Sequence, residues 1–242
     1  MTEIPFKRMS VQLIPTLSSR QRDTIKGFAF MAMAGDHVAS AFQSDMLWLN
    51  LIGRCAFPLF ALASAANRAG KPTSQHSINR LWLLAFLAQP GYWLAFRDAG
   101  SHWWELNILF TFAVTLQSVR FREDMTLTCG LTAIISLLIY LPLSSASYGL
   151  PGILMLFVAI SLFQVRQTFQ SALFVLWLGL VALLNAHHGM MMMLAGVLLT
   201  LAVLCCVHRF VPASDKRLKC GRWVAHGYVI HLMCLGLLLV FT

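Results

Sequence analysis

Apolar residues run along this chain in nine stretches separated by short polar turns, at 24–43, 46–67, 78–96, 105–121, 125–142, 149–165, 170–186, 190–208 and 223–241. Most approach the ~20 residues a helix needs to cross a ~30 Å hydrocarbon core. Runs such as 125–142, 171–186 and 190–207 carry no charge at all. The pattern predicts an all-α, polytopic membrane helix bundle of about nine transmembrane helices. Because the turns are short, consecutive helices are expected to pack as antiparallel neighbours. Residues 1–23 are polar and basic and are expected along the cytoplasmic surface, with 24–242 forming a single transmembrane helical domain. No internal repeat, low-complexity linker or second domain interrupts the pattern. Two prolines do: Pro58 has no N–H for the Arg54 carbonyl and should kink the second helix, and Pro90, after Gln89, should act alike in the third.

Composition agrees. Hydrophobic residues make up 58% of the 242 positions and charged residues 11%, against roughly 25% in a soluble domain. One water-soluble core of this length does not hide so much apolar surface. The net charge of +9 would suggest nucleic acid in a soluble protein. Its distribution explains it otherwise. With the N-terminus inside, the cytoplasmic segments collect Lys7, Arg8, Arg20, Arg22, Lys26, Arg68, Lys71, Arg80, Arg120 and Arg122. They also collect Arg166, Arg209, Lys216, Arg217, Lys219 and Arg222, which leaves only Arg54 and Arg97 of the 18 basic side chains elsewhere. This is the positive-inside signature, and no nucleic-acid partner is needed. Basic residues as far as Lys26 followed by Ala32-Met33-Ala34 imitate a cleavable signal, but the apolar run continues past Ala34 and reads as an uncleaved first helix. The cysteines (Cys55, Cys129, Cys205, Cys206, Cys220, Cys234) have no metal-ligand spacing, so neither a disulfide nor a metal is expected.

Ionisable groups inside a span are costly and mark functional positions. Asp36 and His37 lie in the outer half of the first helix, Arg54 within the second, and Glu105 and Asn107 open the fourth. Similar depth on neighbouring helices predicts a shared, water-filled cavity. Adjacent residues lie ~100° apart on a helix, so Asp36 does not face His37. Asp36 is expected to pair with Arg54, and Glu105 to hold the His37 tautomer. Lys26 precedes His37 by eleven residues, so both sit on one stripe about 16 Å long.

Plainer readings stand beside these. A buried Asp–Arg pair can be a structural clasp, and a lone helical histidine a hydrogen-bonded core residue. His187 and His188 read as surface residues, and Met190 to Met193 as packing. His231 either joins the cavity or hydrogen-bonds a neighbouring helix. The polar turn before Gly149 most simply ends one helix and starts another, with Tyr148 reaching the site as the alternative. Walker, dinucleotide-glycine, HExxH and GxSxG motifs are absent, which disfavours a nucleotide-driven pump or a zinc protease.

Several blocks then coincide with a known family. They are Arg22-Asp23-Thr24-Ile25-Lys26 through Asp36-His37, Gly53-Arg54-Cys55-Ala56-Phe57-Pro58-Leu59-Phe60, and Ile78-Asn79-Arg80-Leu81-Trp82. Glu105-Leu106-Asn107-Ile108-Leu109-Phe110 and Pro142 through Tyr148-Gly149 complete the series. In this order, from about residue 20 to 165, the chain resembles the TraX family, inner-membrane proteins that acetylate the N-terminus of pilin in F-type conjugative pili. More distantly it is similar to the membrane acyltransferase-3 group, whose first helix carries a basic residue eleven positions before a histidine. Lys26 and His37 reproduce that spacing, with Lys where Arg is usual.

The resemblance implies a bacterial inner-membrane acetyltransferase with acetyl-CoA as donor, and pilin or a similar small membrane protein as acceptor amid membrane lipid. Lys26, Arg80 and Arg22 would meet the donor's phosphates. His37, with imidazole's ordinary pKa near neutrality, would be general base on the acceptor amine. Arg54 and Asn107 would stabilise the oxyanion, with Asp36 and Glu105 beside them and Tyr148 and His231 toward the substrate. Two other classes compete. A transporter or flippase would move substrate without a covalent product and usually shows a repeat. A non-catalytic subunit of pilus assembly would use Asp36, His37 and Arg54 as a clasp.

Overall fold

The computed structural model describes residues 17–218 and 223–241. Residues 1–16 of the basic leading segment, with Lys7 and Arg8, fall outside the described residues, as do Lys219, Cys220 and Arg222. Among the described residues every regular element is helical. Helix α1 (Ser19–Ala41) starts earlier than the apolar pattern implies, because Ser18 and Gln21 form a reciprocal capping box. It is followed by α2 (Leu47–Gly53), α3 (Ala56–Arg68), α4 (Gln75–Phe96), α5 (Ile108–Glu123) and α6 (Leu127–Tyr140). Then come α7 (Gly149–Leu162), α8 (Gln167–Ala186), α9 (Met190–Phe210) and α10 (Val224–Phe241).

The second apolar stretch is two helices rather than one kinked one. Pro58 cannot donate to the Arg54 carbonyl, and the preceding amides tighten instead. Arg54 N–H bonds to the Leu51 carbonyl at 3.3 Å and Cys55 N–H to that of Ile52 at 3.4 Å. The helix therefore breaks at Arg54-Cys55. Pro90 has no such effect, since α4 continues through it to Phe96.

Five segments are long and apolar enough to cross a membrane: Leu47–Arg68, Ser145–Leu162, Gln167–Ala186, Met190–Phe210 and Val224–Phe241. The others fall short for identifiable reasons. Helices α5 and α6 have only 16 and 14 residues. Helix α1 carries Arg20, Arg22, Asp23, Lys26 and Asp36, and α4 carries Arg80 among several polar side chains. Large side chains such as Phe86, Ile134, Leu138, Leu198 and Ile230 point outward and are more than half exposed, which suits lipid and not water. The chain is a multi-pass helical membrane protein.

The helices form a ring in the order α1, α10, α4, α5, α7, α8, α9 and back to α1, with α6 packed outside α5. The broken helix α2–α3 stands inside, against α1, α7 and α9. It is mostly buried, whereas the peripheral α9 is mostly exposed. All charged residues at the α1 start, the α3 end and the α5 end gather at one end of the bundle, here termed the basic end. There the α9–α10 connection folds back onto α1. Gln21 donates to the Val211 carbonyl at 3.0 Å, Arg20 N–H to that of Ser214 at 3.0 Å, and the Asp23 carboxylate accepts the Leu218 amide at 3.1 Å.

Helices α4 and α10 touch at backbone distance. A Cβ on Gly91 would lie 2.7 Å from the Met233 nitrogen, and one on Gly236 would lie 2.8 Å from the Gly91 carbonyl oxygen. Small residues at a crossing are what brings membrane helices this close. Gly91→Val is expected to lose about 1–3 kcal/mol through overpacking, read as a lower unfolding temperature in detergent. Gly179→Ala, where a Cβ meets nothing within 4 Å, should leave that temperature unchanged.

Candidate functional site

The central helix faces α4, α5 and α10 across a gap, and that gap is a cavity of about 480 Å³. Two stripes line its long sides. From α1 come Lys26, Met33, Asp36, His37 and Ser40; from the broken helix come Gly53, Phe57, Phe60, Ser64 and Asn67. The stripe on the broken helix alternates steps of four and three residues and so stays on one face. On α1, Lys26, Met33, His37 and Ser40 are spaced by whole or near-whole turns, with Asp36 on the adjoining flank. Tyr92, Phe96 and Tyr228 close the opposite wall, and Ser101, Ala146 and Tyr148 the end remote from Lys26. The cavity thus runs along α1 from the basic end to the opposite end.

Asp36 and Arg54 form the charged centre. Arg54 Nη2 donates to Asp36 Oδ1 at 2.7 Å, and Arg54 Nε donates to the Asn50 carbonyl at 3.1 Å. Their side chains are 12% and 19% exposed for Arg54 and Asp36 respectively, so the charges neutralise each other largely away from solvent. The approach depends on Gly53, where a Cβ would sit 2.4 Å from the Cβ of Asp36. Gly196 of α9 backs the same spot, with its ideal Cβ 3.6 Å from that of Arg54 and 2.4 Å from Asn185 Nδ2.

His37 is held by rings and not by a carboxylate. It stacks on His231 at 5.4 Å with 15° between planes, and meets Phe96 edge-on at 5.2 Å and Tyr228 at 6.2 Å. His37 Nδ1 and His231 Nε2 are buried without a hydrogen-bond partner. The imidazole is therefore fixed in place while its hydrogen-bonding capacity stays uncommitted.

Tyr148 is presented by strained backbone. Its φ is 67°, the left-handed region that side chains with a Cβ rarely adopt. A buried network fixes that turn: Thr111 and Tyr140 both donate to the Ser147 carbonyl, at 2.9 and 2.8 Å, and the Ser147 hydroxyl donates to Tyr140 at 3.1 Å. The ring then stacks flat on Phe57 at 4.7 Å with 2° between planes, within electrostatic range of Asp36 and Arg54.

Other residues singled out in the sequence fall outside the cavity wall. Glu105 does not reach His37. It accepts from the Ser145 hydroxyl at 2.8 Å and the His102 amide at 3.0 Å, and so ties the connection before α5 to the turn before α7. Burial opposes its charge, but these hydrogen bonds hold the carboxyl below the usual carboxylate range. Asn107 is the N-cap of α5: its oxygen accepts the Leu109 amide, and its nitrogen donates to the Ala85 carbonyl and to Gln89. Neither side chain is free for an oxyanion or a histidine. The Arg22 guanidinium donates to the Leu17 and Ala66 carbonyls and to Ser19, clasping α1 to the end of α3. Arg80 is exposed on α4 and does not line this cavity. Lys26 does line it, and pairs with Asp23 at 3.3 Å. His231 joins the site indirectly, behind His37.

Tyr92, Tyr228, Ser64 and Asn67 were not singled out. Tyr228 lies one turn before His231 on α10, and Ser64 and Asn67 extend the Gly53–Phe57–Phe60 stripe, so both signals were present as helical spacing. Tyr92 follows Gly91 at the α4–α10 crossing and carries no comparable signal.

The chain matches the family described as TraX protein over residues 21–239. It is 35% identical over 226 residues to Protein TraX of Escherichia coli, covering 91% of this chain and 88% of that one. It is 34% identical over 233 residues to Protein TraX of Escherichia coli strain K12, covering 94% and 91%. No solved structure matches.

Removing one charge of the buried pair strands the other. Asp36→Asn is expected to cost about 3 kcal/mol, read from unfolding in detergent, and Gly53→Ala to show a similar loss by displacing Asp36. The double replacement Asp36→Leu with Arg54→Met should recover part of the loss, giving a coupling that a double-mutant cycle measures.

Proposed function

The chain belongs to the TraX family, and from that premise we propose that it is a bacterial inner-membrane acetyltransferase. The acetyl group comes from acetyl-CoA on the cytoplasmic side. It goes to the N-terminal amine of pilin, or of a similar small membrane protein, at the far face. The basic end is then cytoplasmic, with the N-terminus inside and nine crossings, the broken α2–α3 counting as one. The observation that carries this reading is the continuous cavity along α1, lined by Lys26 at the basic end and by Asp36, His37 and Tyr148 toward the other. A reaction whose donor and acceptor approach from opposite faces needs such a passage through the bundle.

The thioester supplies an activated acyl carbon. The roles of the chain's own groups follow from their placement. His37, fixed by its stack on His231, accepts a proton from the amine as the N–C bond forms, and returns it to the thiolate released when the C–S bond breaks. The Tyr148 hydroxyl is the donor best placed for the charge on the acyl oxygen. Arg54 acts through Asp36, which lines the cavity while Arg54 stands behind it. The Phe57, Phe60, Phe96 and Phe112 walls keep bulk water from competing with the amine.

The test is transfer of labelled acetyl from acetyl-CoA to a processed pilin in isolated membranes carrying this chain. Label is expected at the pilin N-terminus, with His37→Ala lowering the rate by ~10²-fold or more. Label that is indifferent to His37→Ala removes the base assignment, and absence of any acetylated product across acceptors removes the reaction.

A further inference from the structure

A second cavity of about 270 Å³ opens at the basic end, lined by Ser64, Asn67, Arg68, Lys71, Ser74 and Ser77 among others. It adjoins the main one, since Ser64 and Asn67 line both. Two cations and three hydroxyls frame it, and the residues lining it include no carboxylate. Two of its polar atoms, Asn67 Oδ1 and Arg68 Nε, are buried without a hydrogen-bond partner. Ser74 starts α4 without using its hydroxyl as a cap, which leaves that group for the pocket.

The loop that shapes this pocket is pinned. Glu123 accepts from the Thr73 amide at 2.7 Å and its hydroxyl at 3.0 Å, and Arg120 donates to the Thr73 carbonyl at 2.8 Å. Glu123, the acid whose charge reaches Arg68, is thereby committed to Thr73. Gly70, at φ +70°, turns the chain so that the Lys71 amide closes back on the Arg68 carbonyl at 2.9 Å. Lys71 and Arg68 are thus brought to one pocket by fixed backbone. Its volume is several times the ~30 Å³ of a water molecule.

We propose that this pocket binds phosphate oxygens of the acyl donor, with Arg68 and Lys71 as its two cations. The assignment rests on the donor reading above and adds to it residues that neither the family blocks nor the α1 stripe includes. Forked guanidinium and ammonium donors beside hydroxyls are the chemistry that phosphate takes. The nucleotide end would rest here, and the acyl arm would pass Ser64 and Asn67 into the main cavity toward His37.

The test is binding to the full-length chain in phosphatidylcholine nanodiscs, with coenzyme A and with acetyl-pantetheine, which lacks phosphate. Coenzyme A is expected to bind about tenfold more weakly to Lys71→Gln and to Arg68→Gln, with acetyl-pantetheine binding unchanged. Lys71 is exposed, so its replacement reads the pocket without a folding defect. Coenzyme A binding that neither variant weakens overturns the pocket and leaves the donor reading standing. No coenzyme A binding by the unmodified chain overturns both. Coenzyme A binding that phosphatidylglycerol in the disc abolishes overturns the donor assignment in favour of a lipid headgroup.

Discussion

A guanidinium withdrawn from water needs a counter-charge, and in this chain the carboxylate of Asp36 supplies it to Arg54. The rest of the site follows from meeting that need. The pair forms only because Gly53 lets α1 and α2 approach to a distance that a Cβ would forbid. Arg54 stands at the break between α2 and α3, which Pro58 makes by withholding an amide. The break redirects α3 into the middle of the ring, where its Phe57–Asn67 stripe faces α4, α5 and α10 across the gap, meeting α5 where Phe57 lies edge-on to Phe112 at 5.8 Å. The space left over is the cavity.

Much of this was legible along the chain. Each apolar stretch corresponds to a helix, or in one case to the pair α2–α3, with ends displaced by up to a turn or so, since capping and turn residues and not hydropathy set where a helix stops. The Asp36–Arg54 pair was legible too: two opposite charges at one depth in apolar surroundings have few other solutions. What escaped was whatever depends on competition between partners. Glu105 and Asn107 looked available because they sit at the mouth of a helix, yet capping and loop hydrogen bonds claim them first. Arg22 reads as a free cation and is spent on carbonyls. The split of α2 from α3 was anticipated as a bend, because proline's missing donor says where regularity fails but not how the neighbouring amides regroup.

The placement of His37 by aromatic stacking was not legible at all. Its partner His231 lies on the last helix, and a stack leaves no spacing signature in the sequence. The distribution of burial shows why such helices blend into the background. Helices α8, α9 and α10 are apolar all round and mostly face outward, so one inward ring is hidden among many lipid-facing ones. Helix α1, which carries Asp36 and His37, is conversely far less apolar than these outward-facing helices, because side chains that are sheltered inside the ring need not be apolar.

The fold-back of the α9–α10 connection onto α1 has a consequence for biogenesis. Its hydrogen bonds join residues 190 and 195 positions apart, and α10 supplies both the backbone against Gly91 and the ring behind His37. During synthesis α1 enters the bilayer with its charges exposed to partners that do not yet exist. Arg54 arrives early enough to quench Asp36. Asp23 has Lys26 beside it in α1 from the start but meets the Leu218 amide only once the α9–α10 connection is made, and His37 meets His231 only with the final helix. A chain that has not yet inserted α10 therefore lacks both the ring stacked on His37 and the backbone that meets Gly91.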